Sequence, residues 1–297
     1  MPAQHSNKEE HHNFLRTALT WRGSVTPRIL LSVLIPSLYT LGLAWIDARY
    51  YKLPHLEVTP FEYTGAVLGL LLIFRTNAGH DRWWEARKLW GAIVNQSRNL
   101  LLMVWNYGST DKHWRDEMTK WIIVFPFAAK EFLRLQKNFE EVNDLLSNSE
   151  IAELQNAPHM PVFVSNKIAE LLGQARASQL FDGFAFQQFE NQRAALIDSI
   201  GGCERILKTP MPLVYVIKVR RFIFLYLLLL PFSLIKVMGL MSAPIVLLVA
   251  YPLLSLDRIG LELQNPFSAR SLSHLPLEAI CAGIKSVGVA FSNKSTS

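Results

Sequence analysis

The sequence predicts an all-α membrane protein in which four transmembrane helices carry a cytoplasmic helical bundle. Three observations support this. Half of the 297 residues are apolar and only 18% are charged, an oilier balance than soluble domains carry. Four apolar runs approach the roughly 20 residues that a helix needs to cross bilayer hydrocarbon. Between the second and third runs lies a long stretch with helical periodicity and almost no strand alternation. Residues 1–297 read as one unit, with no internal repeat or low-complexity tract.

The N-terminal segment, MPAQHSNKEEHHNFLRTALTWRG, is polar and lacks the short apolar core and small-residue cleavage site of a signal peptide. The first span covers about 28–47 and contains Pro36, a kink position that membrane helices tolerate. The second, about 60–76, holds the short run YTGAVLGLLLIF and needs help from neighbouring helices. It stops in FRTNAGHDRWWEARKLW, residues 74–90, where ionisable groups crowd a helix end that only water at a membrane boundary can hydrate. The third span, about 217–237, and the fourth, about 240–257, are separated by a short uncharged turn. Four crossings return the chain to its starting side.

Basic residues choose that side. Lys8, Arg16, Arg22 and Arg28 precede the first span, Arg75, Arg82, Arg87, Lys88 and Arg98 follow the second, and Arg220 and Arg221 precede the third. By the positive-inside rule both termini and the central region are cytoplasmic, in a multi-pass protein of a cell inner membrane, with Arg49 and Lys52 running against the rule.

The central region, about 83–212, opens with an amphipathic helix whose Trp83, Leu89, Ile93, Leu100 and Val104 share a stripe. Residues 114–135 are apolar enough to suggest a fifth span, but dense flanking charge and Pro126 favour a helix buried in the bundle. A proline-punctuated connection follows at 154–163, and Gly201 and Gly202 interrupt the last helical stretch.

The net charge of +6 is spread thinly, without the basic tract that nucleic-acid binding requires. None of His5, His11, His12, His55, His80, His113, His159 and His274 forms metal-ligand spacing. Cys203 and Cys281 lack CxxC spacing and read as packing residues. Nucleotide-binding and hydrolase motifs are missing, and paired carboxylates such as Glu140 and Glu141 sit in solvated charge runs. No cofactor and no enzymatic activity are expected.

The segment FRTNAGHDRWWEARKLWGAIVNQSRNL, then GGCERILKTPMPLVY before the third span, then NPF after the fourth, resembles the bestrophin family of pentameric ion channels in its bacterial form. The three motifs, in order among four spans, cover about residues 15–285. The resemblance implies a homopentamer around a central pore lined by the second span, with a narrow apolar neck in the membrane and a second constriction at the cytoplasmic exit. Ala66, Leu70 and Phe74 are spaced i, i+4, i+8, an inclined row that a tilted helix can keep toward an axis. The other reading of such a stripe is packing against helices or lipid. As a neck it would block ions by drying and pass them when side chains rotate and water enters. Ala66 is smaller than the family's usual residue, so Leu70 and Phe74 would form the tight part.

Glu62 lies one step outward, where five carboxylates would concentrate cations. Bacterial members are associated with sodium and animal and plant members with anions, so the expectation is a passive channel for monovalent ions that prefers cations. The alternatives are an anion (chloride) channel and a non-conducting membrane scaffold. The family's aperture position falls on Phe184, which could equally be core, with Asp182 as a candidate polar ring beside it. After NPF only Glu278 is acidic within SARSLSHLPLE, too few hard oxygen ligands for the calcium clasp of animal members, so no metal site is expected. Arg75 and Arg82 read as positive-inside flanks or intersubunit salt bridges, and Trp83 and Trp84 as interfacial anchors.

Overall fold

A computed structural model describes residues 18–21 and 23–294. Lys8, Arg16, Arg22, His5, His11 and His12 lie outside the described residues. Nine α-helices and two 3-10 turns, and no strand, occur among the described residues. They group into two compact units, one drawn from residues up to Thr76 and from Val216–Gly260, the other from Asn77–Tyr215 and from Leu261 onward.

The first unit contains α1 (Thr26–Arg49), the start of α2 (Thr59–Asn106), most of α7 (Leu213–Met238) and most of α8 (Ser242–Glu262). By length and composition, two described helical stretches suit a membrane, Thr26–Arg49 and the 50-residue Leu213–Glu262. The second stretch folds into α7 and α8 at the 3-10 turn Gly239–Met241, where Gly239 takes a φ of +52°, a conformation glycine adopts without steric cost. α2 fails the same test, because its apolar run is short and runs on into charged sequence. Past residue 76 the same helix continues through the tryptophan-rich segment to Asn106.

Pro36, Pro231 and Pro252 all remain inside helices. Beside Pro36 the buried Thr40 hydroxyl donates to the Pro36 carbonyl at 2.7 Å, and Ser37 donates to the Ala243 carbonyl, joining α1 to α8. The connection after α1 is organised by Asp47, which accepts the Leu53 N–H at 2.8 Å and pairs with Lys52 at 3.3 Å.

The second unit is a helical bundle centred on α3 (Lys112–Arg134), where Trp121 to Glu131 is an unbroken run of buried residues. Around α3 pack α5 (Met160–Ala177), α6 (Gly183–Lys208) and α9 (Leu277–Lys294), with the short α4 (Asn148–Asn156) against α5. The charges that α3 carries inward are paired, Lys130 with Glu141 and Glu131, and Lys120 with Glu117 and Glu150. Helix starts are capped as their sequences require: Asp111 accepts from His113 N–H, Ser147 and Glu150 form a capping box, and Asp182 accepts from Ala185 N–H. Gly201 and Gly202 do not interrupt α6, which is continuous from Gly183 to Lys208.

α9 meets α3 at closest quarters through Gly288, where a Cβ would stand 2.5 Å from Cδ1 of the buried Ile123. Gly283, on the same helix, faces open space. Gly283→Ala should stabilise by up to about 1 kcal/mol through helix propensity, whereas Gly288→Ala should cost about 1–3 kcal/mol by overpacking. Thermal melts of the two variants should move in opposite directions, each by a few degrees; two equal shifts would contradict the packing described.

Candidate functional site

In the first unit α2 has one free face and one buried face. Glu62, Ala66, Leu70 and Phe74 all lie on the free face, with Leu70 52% and Phe74 58% exposed in the single chain. Leu68, Leu72 and Arg75 turn inward. An i, i+4, i+8 row of mainly apolar side chains therefore stands free on a helix whose opposite side buries Leu68, Leu72 and Arg75, and neighbouring Tyr63, Val67 and Ile73 widen the strip.

The rotation of α2 is pinned by Arg75, whose side chain is 0% exposed and bonds to the carboxylate of Asp257 on α8. Arg220 of α7 approaches the same carboxylate to 3.1 Å. Nε and Nη2 of Arg75 are buried without a hydrogen-bond partner, so Asp257 is the group that compensates its charge. Arg75 is thus neither a solvated flank nor available to a neighbouring subunit, in contrast to the sequence expectation. A guanidinium without water must find its counter-ion within reach, and here it lies on another helix of the same chain.

In the second unit four phenylalanines crowd the start of α6. Phe181 and Phe189 stack at 5.5 Å, both against Trp114, and Phe186 lies under the Arg176 guanidinium. Phe184 is the exception, 86% exposed, so the core reading of this residue is removed. The Asp182 carboxylate accepts the Ala185 N–H at 2.7 Å as the N-cap of α6, a structural task that a polar ring would have to share.

Other motif residues are consumed by packing. Arg82 donates to the carbonyls of Thr209, Ile206 and Gln264, closing the end of α6, and burial pulls its pKa below the ordinary value. The Trp83 indole N–H donates to the Ser273 carbonyl at 2.7 Å, whereas Trp84 is exposed, so of the two expected anchors only Trp84 has a free indole face. In the NPF turn the Asn265 side chain accepts the N–H groups of Phe267 and Ser268, and Phe267 is fully buried. Arg134 donates to the Phe267 carbonyl and pairs with Glu278. That hydrogen bond holds the Glu278 carboxyl at about 2, well below its ordinary 4.5.

No three His, Cys, Asp or Glu side chains converge on a possible metal position among the described residues. Both cysteines are buried, and burial pushes both thiols up to about 12, far from the thiolate chemistry of a ligand or nucleophile.

Comparison with known proteins adds the family context. The family profile described as Bacterial/Fungal Bestrophin protein matches residues 5–287. Among relatives, a voltage-dependent anion channel-forming protein of Nostoc sp. is 37% identical over 278 residues, covering 92% of this chain and 90% of that protein. Another so named, from Synechocystis sp., is 33% identical, covering 89% of this chain and 86% of its own length. Among solved structures, a bacterial bestrophin homologue from Klebsiella pneumoniae superposes with a TM-score of 0.82 at 25% identity, covering 89% of this chain and 98% of that one.

Two outcomes follow from this geometry. Asp257→Ala should destabilise the protein by about 3–5 kcal/mol, because it strands a buried charge, while Arg75→Met combined with Asp257→Leu should recover much of the loss; melting of the detergent-solubilised variants reads both. Between pH 4.5 and 2 the unfolded chain binds more protons at Glu278 than the folded chain does. The contribution of this carboxylate is therefore fully present above about 4.5 and lost as pH falls toward 2. Glu278→Gln should lower the melting temperature slightly at pH 7, the carboxylate being half exposed, and the gap from the parent should close on acidification.

Proposed function

The chain belongs to the bacterial and fungal bestrophin family, and from that premise we propose that it forms a homopentameric channel, its copies surrounding a pore lined by α2. It is a membrane protein of the bestrophin ion-channel type, not a member of an enzyme family. The observation that carries the proposal is the free row on α2. Ala66, Leu70 and Phe74 are held outward by the packing on the opposite side, and five copies of the row make stacked apolar rings. Such rings bind no ion and control passage by wetting and drying, which suits a passive conduit for monovalent ions. In this reading exposed Phe184 lines the second constriction, with Asp182 beside it.

Orientation rests on the basic residues. Arg28, Arg75, Arg82, Arg87, Lys88, Arg98, Arg220 and Arg221 lie on the side assigned to the cytoplasm, and Arg49 and Lys52 on the other side are outnumbered. Both termini are therefore placed inside, in a cell inner membrane.

Two readings of charge preference stand on different observations. The names of the Nostoc and Synechocystis relatives favour anions, against the cation preference expected from sequence. Glu62, exposed on the free face, favours cations, because a ring of carboxylates at a pore mouth raises the local cation concentration. The apolar neck itself carries no sign.

Purified protein in planar bilayers tests the proposal. Leu70→Ala with Phe74→Ala should raise conductance or open probability several-fold; no change would remove the neck. The reversal potential under a salt gradient decides the sign, and Glu62→Gln should shift it toward anions if the carboxylate ring acts. A pentameric particle that stays electrically silent would favour a scaffold instead.

A further inference from the structure

The first unit contains a groove of about 620 Å³ bordered by α1, α7 and α8, away from the free face of α2. Its lining is strongly asymmetric. The charged residues are Arg28, Arg220, Asp257 and Arg258, and elsewhere it presents mainly apolar side chains such as Ile35, Pro36, Phe224, Leu227 and Leu254. The charges also share one level. Arg28 begins α1, Arg220 lies early in α7, and Asp257 and Arg258 lie late in α8, with Arg220 and Asp257 in contact. From that level the walls run into the apolar interior, about 16 Å along α1 from Arg28 to Tyr39 and about 12 Å along α7 from Arg220 to Leu228, at 1.5 Å per residue.

We propose that this groove is a binding site for an anionic phospholipid, with the headgroup phosphate among the arginines and an acyl chain along the apolar walls. Three arginines against one carboxylate give the charged end a positive lining. A phosphate takes up guanidinium donors in the bidentate manner that carboxylates do. Ser32, one turn deeper than Arg28, lines the groove at the depth where the glycerol esters would lie. The walls suit a chain of methylene groups and offer a water-soluble anion nothing beyond its charge. Basic pockets between helices at the cytoplasmic face are where anionic headgroups are held, and the basic ends of α1 and α7 point to that face. The site would fasten three helices of one subunit together through a component of the bilayer. It rests on the membrane placement of these helices, and not on conduction.

The test is native mass spectrometry of the full chain in delipidating detergent, titrated with dioleoyl phosphatidylglycerol, with phosphatidylcholine of the same chains, or with inorganic phosphate. Phosphatidylglycerol should bind in a single saturable step per chain, about fivefold or more tighter than phosphatidylcholine, as expected when each arginine contributes on the order of 1 kcal/mol. Arg28→Gln, at an exposed position, should weaken phosphatidylglycerol about fivefold and leave phosphatidylcholine unchanged. Leu228→Trp, which fills the apolar walls, should weaken both lipids, with oligomer assembly unchanged as the control for folding. Equal affinity for the two lipids, no effect of Arg28→Gln, or displacement of phosphatidylglycerol by millimolar inorganic phosphate would overturn the proposal. Loss of lipid selectivity with conduction intact sinks this site alone, whereas a silent bilayer with lipid still bound sinks the channel reading alone.

Discussion

A guanidinium shut away from water keeps its charge and needs a counter-ion within reach, and the first unit is arranged around that requirement at Arg75 and Asp257. At 100° per residue, Ala66 lies about 180° around α2 from Arg75, Leu70 about 140° and Phe74 about 100°. Once Arg75 is committed to α8, the rotation of α2 is decided, and the apolar row has nowhere to go but outward. Arg220 draws α7 to the same carboxylate, so one acidic side chain positions three helices. The outward strip depends on an inward salt bridge.

The helical architecture was legible because it rests on local signals. Apolar period, capping residues and the uncharged turn at Gly239 each act within a few residues of chain. Pairings between distant segments were not legible. Arg75 looked like a positive-inside flank because that rule weighs charges by their place along the chain, while its partner stands 182 residues away at the edge of another apolar run. Trp83 looked like an interfacial anchor until the Ser273 carbonyl took its N–H. In LFDGFAFQQF the phenylalanines are chemically equivalent, and which one is left outside is decided by Arg176 just upstream and by Trp114, which is remote from it in sequence. The glycine pair in α6 was expected to break a helix, but a propensity cost of about 1 kcal/mol each is outweighed by the burial of Phe189, Leu196, Cys203 and Ile206 on the same helix.

The turn after α8 is held by a set of hydrogen bonds between protein groups. Asn265 closes it by accepting two backbone N–H groups, Leu275 N–H donates to the Pro266 carbonyl, and Glu262 accepts from Leu272. Arg134 then joins the turn to Glu278 at the start of α9. These bonds tie the turn to α3 and to the start of α9 through the polypeptide itself.

The contact between Gly288 and Ile123 has a consequence for how such sequences change with time. The two positions draw on one shared volume: whatever one gains, the other must yield, since neither helix has solvent to retreat into. Lineages that enlarge position 288 are therefore expected to carry a smaller residue at 123, and the pair should drift together although 165 positions of chain divide them.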